Sequence, residues 1–167
     1  MTSTTGRKDK AFTLVELILV MVVVSVVVSL AAPRLRGFFV SRQTADAAAM
    51  VLSLTKWARS EAVSQGRCVR LNIDLTGAAC WLTVQEGGLF VAPRSEIGRR
   101  FAAPEGAAIS IVSDSTAPAP AYIEFRPSGR SDAAAIEIRG ASGQTFQVVS
   151  DSATDPYHVV TPSGANG

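Results

Sequence analysis

Few side chains in this sequence have the types and spacing that catalysis or metal binding requires. His158 is the only histidine, and no Ser or Cys stands at a spacing that would pair with it as a nucleophile, so we interpret it as non-catalytic. Asp151 and Asp155 share a loop, but two carboxylates without a glycine-pivoted series of oxygen ligands do not make a calcium site, and a turn or capping role fits them better. The sequence therefore predicts a protein that is not an enzyme and holds no metal or cofactor.

Charge and composition exclude further classes. Sixteen Lys and Arg residues against 14 Asp and Glu residues give a net charge of +2, which is too small to indicate nucleic acid as a partner. A hydrophobic content of 47% argues against disorder. The mean hydropathy of +0.25 is high for a small soluble domain, and its source is local, in the segment from Phe12 to Ala32.

This segment is a 21-residue apolar run. Its only interruptions are Thr13, Glu16, Ser25 and Ser29. As a helix with a rise of ~1.5 Å per residue it would be about 32 Å long, enough to cross the hydrocarbon core of a bilayer. We predict a membrane-spanning helix over residues 12–32, in which the serine hydroxyls bond to the preceding turn and which Pro33 kinks or ends. A carboxylate at membrane depth is costly, so Glu16 should have a purpose.

The start of the run, Lys10-Ala11-Phe12-Thr13-Leu14-Val15-Glu16, resembles the cleavage and methylation signal of type IV prepilins and type II secretion pseudopilins. The resemblance implies that a prepilin peptidase removes residues 1–11 by cutting between Ala11 and Phe12, and that the new amino group of Phe12 is methylated. It also implies that Glu16 meets the terminal amine of a neighbouring subunit, so that charge pairing sets the register of a filament. The family usually has Gly at the position of Ala11.

An ordinary secretory signal peptide is the competing interpretation of the same segment. Ser29-Leu30-Ala31 offers small residues at the positions that a signal peptidase requires. Cleavage there would release a β domain without an anchor. The length of the apolar run and the presence of Glu16 argue against this alternative.

After Pro33 the pattern stays helical but becomes amphipathic. Apolar residues recur at three- and four-residue steps over residues 33–64, and Met50 and Trp57 are interpreted as core residues within this stripe. Gly66 is a natural helix stop. We therefore predict that the helix continues to about Ser64 and packs against a sheet.

The remaining residues, 65–167, predict a β-rich head with a frayed tail from Pro162 to Gly167. A hairpin turns at Thr76-Gly77 between Cys68–Asp74 and Ala79–Gln85. Further strands are predicted at Leu89–Ala92, Ile109–Val112, Tyr122–Phe125, Ala135–Arg139, Thr145–Ser150 and Tyr157–Thr161. The predicted fold class is α+β, with a long N-terminal helix packed on an antiparallel, β-sandwich-like head.

Cys68 and Cys80 raise the question of a disulfide. The predicted hairpin pairs position 68 with about position 85, so the two cysteine Cα atoms would be farther apart than the roughly 7 Å that a disulfide spans. An oxidising compartment and a turn elsewhere would still permit a bridge. The sequence leaves both a Cys68–Cys80 disulfide and two free thiols open.

Two more segments sharpen the family resemblance. Trp57-Ala58-Arg59-Ser60-Glu61-Ala62-Val63 and Ile123-Glu124-Phe125-Arg126-Pro127-Ser128-Gly129 are similar to the A-R-S-E-A and F-x-P-x-G elements of GspH/FimT-type minor pseudopilins and minor pilins. The resemblance implies a pseudopilin of the inner, cytoplasmic membrane with its head in the periplasm. Its partners would be other pseudopilins or pilins in a heterologous helical filament, besides the prepilin peptidase and methyltransferase.

A minor pilin of a type IV system, acting in pilus assembly, adhesion or DNA uptake, is the alternative within the same family. Some relatives bind DNA through a basic G-R-x-R element near the C-terminus, whereas this chain ends without an arginine. Arg126, Arg130 and Arg139 could cluster in space, but a solvated face is the better interpretation. Nucleic acid is therefore not predicted as a partner.

Overall fold

The structure, a computed structural model, describes residues 13–74, 76–112 and 121–161, and within its helix it leaves the side chains of residues 31–38 and 40 undescribed. The chain divides into two compact units, Met1–Phe38 and Phe39–Gly167. The described residues form one helix and nine strands: α1 (Leu14–Gln65), β1 (Val69–Ile73), β2 (Ala79–Glu86), β3 (Leu89–Val91), β4 (Phe101–Ala102), β5 (Ala108–Val112), β6 (Tyr122–Phe125), β7 (Ala135–Arg139), β8 (Thr145–Val149) and β9 (His158–Val160).

Thr13 caps the start of α1 in the first unit. Its hydroxyl oxygen accepts a hydrogen bond from the Glu16 N–H at 3.2 Å, and its carbonyl accepts the first helical bond from Leu17 at 3.2 Å. Thr followed three residues later by Glu is the spacing of a capping box. Farther along, the hydroxyls of Ser25 and Ser29 donate to backbone carbonyls one turn earlier at 2.7 and 2.8 Å, as the sequence predicted.

The large apolar side chains from Leu14 to Leu30 are 50% to 75% exposed. Within the part of the chain that the structure describes, no helix is long and apolar enough to cross a membrane. Phe12, at the start of the predicted span, lies outside the described residues. Pro33 does not end the helix, because α1 continues to Gln65, and the predicted kink at Pro33 stays a prediction.

In the second unit, α1 ends where the sequence predicted. Gly66 has a φ of 64°, a left-handed conformation that an L side chain rarely adopts. The N–H of Arg67 then donates back to the carbonyl of Ala62, five residues earlier, at 3.3 Å. This is the bond of a Schellman motif that spans the larger number of residues. The helix therefore stops because glycine allows the chain to reverse at this position.

The strands form two antiparallel sheets, which confirms the predicted α+β class. One sheet has the order β3-β2-β1-β6, with β4 also paired to β2, and the other has the order β5-β7-β8-β9. The predicted hairpin register is confirmed, since Val69 lies opposite Val84 and the Gln85 N–H donates to the Cys68 carbonyl at 2.8 Å. Strand β4 was not predicted, because two residues are too few to show an alternating pattern.

One face of α1 closes the core of the second unit. Ala47, Val51, Leu54, Ala58 and Ala62 are each no more than 2% exposed and form one cluster with the inward-facing residues of both sheets. The alanines let the helix backbone come close to the strands. Trp57 packs against this cluster as a partly buried residue. The prediction that Met50 is a core residue was wrong: it is 38% exposed, because it lies at the edge of the buried stripe.

Gly140, which directly follows β7, lies close to α1, and we expect a larger side chain there to lower stability. A Cβ added at Gly140 would overlap the hydroxyl of Thr44 and lie 3.1 Å from its Cβ, and Thr44 is only 1% exposed. Gly140→Ala should therefore lower the free energy of unfolding by about 1–3 kcal/mol. Urea unfolding of the detergent-solubilised chain measures this effect. Ser142→Ala, an exposed change in the same loop, should stay within about 0.5 kcal/mol of wild type. Equal stability of Gly140→Ala and wild type would contradict the contact.

Candidate assembly site

The residues that the sequence assigned to processing fall largely outside the described structure. Ala11 and Phe12 are not among the described residues, so the cleavage and methylation assignments stay predictions. Glu16 is described: it is exposed in the first turn of α1 and forms no ion pair with another described residue. A carboxylate there is stabilised by the helix dipole and remains free to accept a cation from another molecule.

Arg59, in the A-R-S-E-A segment, ties the helix to two loops. Its guanidinium donates to the carbonyl of Thr154 at 2.8 Å, to the carbonyl of Asp155 at 2.5 Å and to the hydroxyl of Ser131 at 3.1 Å. A planar group with five donors suits this arrangement better than any other side chain. The sequence pointed to Arg59 only as part of the A-R-S-E-A segment and assigned it no role. The structure shows that Arg59 holds the loop at residues 151–156 against α1.

The F-x-P-x-G element makes the turn that places Ser131 beside Arg59. The Gly129 N–H donates to the Arg126 carbonyl at 2.9 Å, and Gly129 has a φ of 79°. The chain then returns along β6, where Asp132 donates its N–H to the Glu124 carbonyl at 3.1 Å and accepts the Glu124 N–H on its carboxylate at 3.0 Å. Asp132 thus occupies backbone groups at the edge of β6 that would otherwise be open to another strand.

Two of the three arginines considered for nucleic-acid binding are paired with acids. Arg126 contacts the Asp132 carboxylate at 2.8 Å, and this hydrogen bond, with the charge of Asp132, raises the pKa of Arg126. Arg139 pairs with Glu137 at 2.7 Å. Arg130 is exposed. The charges of Arg126 and Arg139 are therefore each offset by a neighbouring carboxylate.

Of the two loop aspartates, Asp155 has the turn role that the sequence favoured, and for Asp151 that role stays a prediction. The Asp155 carboxylate accepts the Ser152 hydroxyl at 2.7 Å, and the Asp155 carbonyl accepts the Ser150 hydroxyl at 2.9 Å. Asp151 is exposed. His158 lies exposed on β9. These contacts shape the loop that Arg59 holds.

Both cysteines are free thiols in this structure, so the possible Cys68–Cys80 bridge is not formed. The reason is the register of the hairpin: Cys80 lies opposite Ile73, whereas Cys68 lies at the other end, hydrogen-bonded to Gln85. Burial raises the pKa of the Cys80 thiol to about 12. It is therefore protonated and unreactive at neutral pH.

Sequence reasoning missed an arginine–aromatic cluster on the outer face of the first sheet. The Arg70 guanidinium carbon lies 3.7 Å from the ring centroid of Phe90 and 4.2 Å from that of Tyr122, and Arg70 also pairs with Glu124 at 3.0 Å. Against the same sheet, the guanidinium carbon of Arg100, just before β4, lies 5.1 Å from the ring centroid of Trp81, and Arg100 pairs with Asp74. The Thr76 N–H and Arg100 together lower the pKa of Asp74. Arg, Tyr and Trp are enriched in protein interfaces. Sequence patterns do not reveal this cluster, because its residues lie on β1, β2, β3, β6 and in the segment before β4 and meet only in the fold.

Comparison with known proteins identifies the family of this chain. A profile described as "Type II transport protein GspH" matches residues 47–164, and the prokaryotic N-terminal methylation motif matches residues 6–32. The chain belongs to the GspH family. None of the curated proteins compared with the chain matches it.

Solved structures show the same fold. The minor pseudopilin EpsH from the type 2 secretion system of Vibrio cholerae is similar with a TM-score of 0.61 and 12% sequence identity, over 73% of this chain and 99% of EpsH. The type IV minor pilin FimU of Pseudomonas aeruginosa is similar with a TM-score of 0.52 and 19% identity, over 74% of this chain and 91% of FimU. A minor pseudopilin of a type 2 secretion system and a type IV minor pilin thus share this fold.

The contacts of Arg59 predict a large loss of stability when they are removed. Arg59→Ala should lower the free energy of unfolding by about 2–3 kcal/mol, because three acceptors lose a charged donor. Lys56→Ala, an exposed change one turn earlier, should change it by less than about 0.5 kcal/mol. Urea unfolding and amide hydrogen exchange at residues 151–157 measure both. Unchanged protection of that loop in Arg59→Ala would contradict the assigned role.

The raised pKa of Tyr157 predicts that the stability of the fold falls at alkaline pH. Burial raises its pKa to about 12, against about 10 in an unfolded chain, so the folded state favours the neutral phenol. This contribution is present below pH 10 and is lost as pH rises towards 12, at about 1.4 kcal/mol per pH unit. Tyr157→Phe should remove that slope and, because the hydroxyl donates to the Asp132 carbonyl at 2.8 Å, cost about 1 kcal/mol at pH 7. Urea unfolding between pH 7 and pH 11.5 tests this, and the same alkaline slope in both proteins would contradict it.

Proposed function

We propose that this chain is a minor pseudopilin of a type II protein secretion system, joining a short periplasmic pseudopilus through its N-terminal helix. The observation that carries the proposal is that a methylation motif and a GspH-family region occur in one chain, at residues 6–32 and 47–164. The work of such a subunit is mechanical: its surfaces bind neighbours, and it is the substrate of processing enzymes, not a catalyst.

The proposed organisation has four parts. Residues 1–11 form a leader, 12–32 an inner-membrane helix, 33–64 its amphipathic continuation and 65–167 a head in the periplasm. The exposure of the large apolar side chains between Leu14 and Leu30 supports a membrane or filament environment for this segment, since apolar surface of that extent is unfavourable in water.

Processing would create the assembly site. Cleavage between Ala11 and Phe12 leaves a methylated amine on Phe12, and in a filament Glu16 of one subunit would neutralise the amine of its neighbour. A buried pair of this kind contributes specificity of register more than stability. The exposed Glu16, which has no ion pair with a described residue, is consistent with that intermolecular role.

A minor pilin of a type IV system is the second candidate, favoured by the similarity to FimU. Deleting the gene in the organism that encodes it distinguishes the two roles. If the chain is a pseudopilin, the total exoprotein of the culture medium falls while surface pili are retained. Loss of pili with normal exoprotein would overturn the secretion role in favour of the pilin role.

Glu16→Gln should abolish assembly without unfolding the head. Gln retains the size of the side chain and can serve in a capping box, but it leaves the neighbour's amine unpaired. We expect secretion restored by this variant in the deletion strain to be at least about tenfold below wild type, with unfolding of the head shifted by less than about 0.5 kcal/mol. Asp151→Asn, another exposed carboxylate, is the matched control and should support normal secretion. Full secretion by Glu16→Gln would contradict the pairing.

A further inference from the structure

One face of the first sheet is turned away from the core. Along β1, Leu71 is buried whereas Arg70 and Asn72 are half-buried, and β2 alternates in the same way. Asn72 lies opposite Trp81 of β2 on one side and opposite Tyr122 of β6 on the other. Directly opposite side chains are neighbours on one face of a sheet. These three residues therefore form a row across three strands, the Asn72 row, with an aromatic ring at each end and an amide in the middle.

The charges beside the Asn72 row are already paired. Arg70 pairs with Glu124 at 3.0 Å, and Arg100 pairs with Asp74. Because these charges are compensated within the chain, the face is complementary to an uncharged ligand. The guanidinium carbon of Arg70 also lies 4.2 Å from the ring centroid of Tyr122. A ring that is held in place before binding loses little side-chain entropy when a ligand binds.

The row keeps uncharged hydrogen-bonding groups available to a ligand. The side-chain nitrogen of Asn72 donates to the Thr83 hydroxyl at 3.0 Å and to the Trp81 carbonyl at 3.3 Å. Within the described residues, the Asn72 side-chain oxygen accepts no hydrogen bond, and the Tyr122 hydroxyl and the Trp81 indole N–H form none. The free groups are thus a mixture of donors and acceptors, which hydroxyl groups of a ligand would satisfy because each can both donate and accept.

The spacing of the two rings fits a sugar chain. Trp81 and Tyr122 are two strand spacings apart, about 10 Å, which is about the length of two linked pyranose rings. Pyranose rings carry C–H groups on their faces, which pack on aromatic rings, and hydroxyl groups on their rims. At the Trp81 end the surface continues into a pocket of about 480 Å³, lined also by Leu82, Ala92, Pro93, Gly98, Arg99 and Arg100. A chain of more than two sugar rings would extend into this pocket.

We propose that the Asn72 row binds a neutral, β-linked glycan chain that lies across β2, β1 and β6. One pyranose ring would pack on Trp81 and the next on Tyr122, while hydroxyl groups bond to the free groups of Asn72 and Tyr122. A β-linked chain is extended and flat, as the face of a sheet requires. Aromatic residues and arginine also occur in protein interfaces, but the paired charges and the free uncharged groups favour a glycan. This binding function is separate from the proposed assembly role.

Calorimetric titration of the full chain with two tetrasaccharides, chitotetraose and cellotetraose, tests the site. The chain is solubilised in a detergent without a sugar headgroup, because alkyl glycosides would compete. We expect a Kd of about 0.1–1 mM for chitotetraose, the same at low and high salt because no unpaired charge takes part. Binding of chitotetraose alone supports a site for N-acetylated glycans of the cell-wall type, and equal binding of cellotetraose supports a site for neutral β-linked glycans in general.

Substitutions in the row locate the binding. Trp81→Ala and Tyr122→Ala should each weaken binding by roughly tenfold, whereas Trp81→Phe, which keeps a ring, should stay within about threefold of wild type. Tyr122→Phe removes only the hydroxyl and should weaken binding by about threefold, which keeps the site testable if an alanine variant unfolds. Phe39→Ala is the matched control, because Phe39 is an aromatic residue of α1 that is 61% exposed, and it should bind as wild type does.

Three results would each overturn the glycan site. The first is that neither tetrasaccharide binds at about 10 mM, which would leave the face to a protein partner. The second is that folded Trp81→Ala and Tyr122→Ala chains bind as wild type does. The third is that Phe39→Ala weakens binding as much as they do.

Discussion

The packing of one face of α1 into the β sheets is the constraint on which the rest of the structure depends. Ala47, Val51, Leu54, Ala58 and Ala62 bury that face almost completely, so the opposite side of the same helix is left to solvent or to partners. The small alanine side chains bring the strands close enough for the core to include both sheets. Every surface that the head can offer to a neighbour is positioned by this contact.

The family-like segments of this chain have structural roles in the fold. Arg59 holds the loop at residues 151–156 through three acceptors, and the turn at Gly129 brings Ser131 and Asp132 to the helix and to the edge of β6. Together they fix the ends of the sandwich against α1. The proposed assembly role requires this rigidity, because a contact between subunits is only as precise as the fold that carries it.

Local signals in the sequence were sufficient for much of the fold and for the family. Alternation predicted the β1–β2 hairpin and its register, and Gly66 predicted the helix end, since each depends on neighbouring residues. The two-residue β4 and the place of Arg70 between Phe90 and Tyr122 could not be predicted, because those contacts join residues distant in sequence. The core prediction for Met50 was wrong because periodicity shows which face of the helix is buried but not where the buried stripe ends. The cleavage site at Ala11 and Phe12 is predicted from the motif alone. For Glu16 the structure adds that the side chain is exposed and lies in the capped first turn of α1.

The central claim is that this chain is matured as a pilin-class subunit, with α1 serving as both anchor and support of the head. The most direct test is the intact mass and N-terminal sequence of the native protein extracted from membranes. The account predicts a chain that begins at N-methylated Phe12. A chain that begins at Ala32 would contradict it, because the anchor and Glu16 would both be gone and a released β domain would remain. An uncut chain that retains residues 1–11 would likewise contradict maturation by a prepilin peptidase.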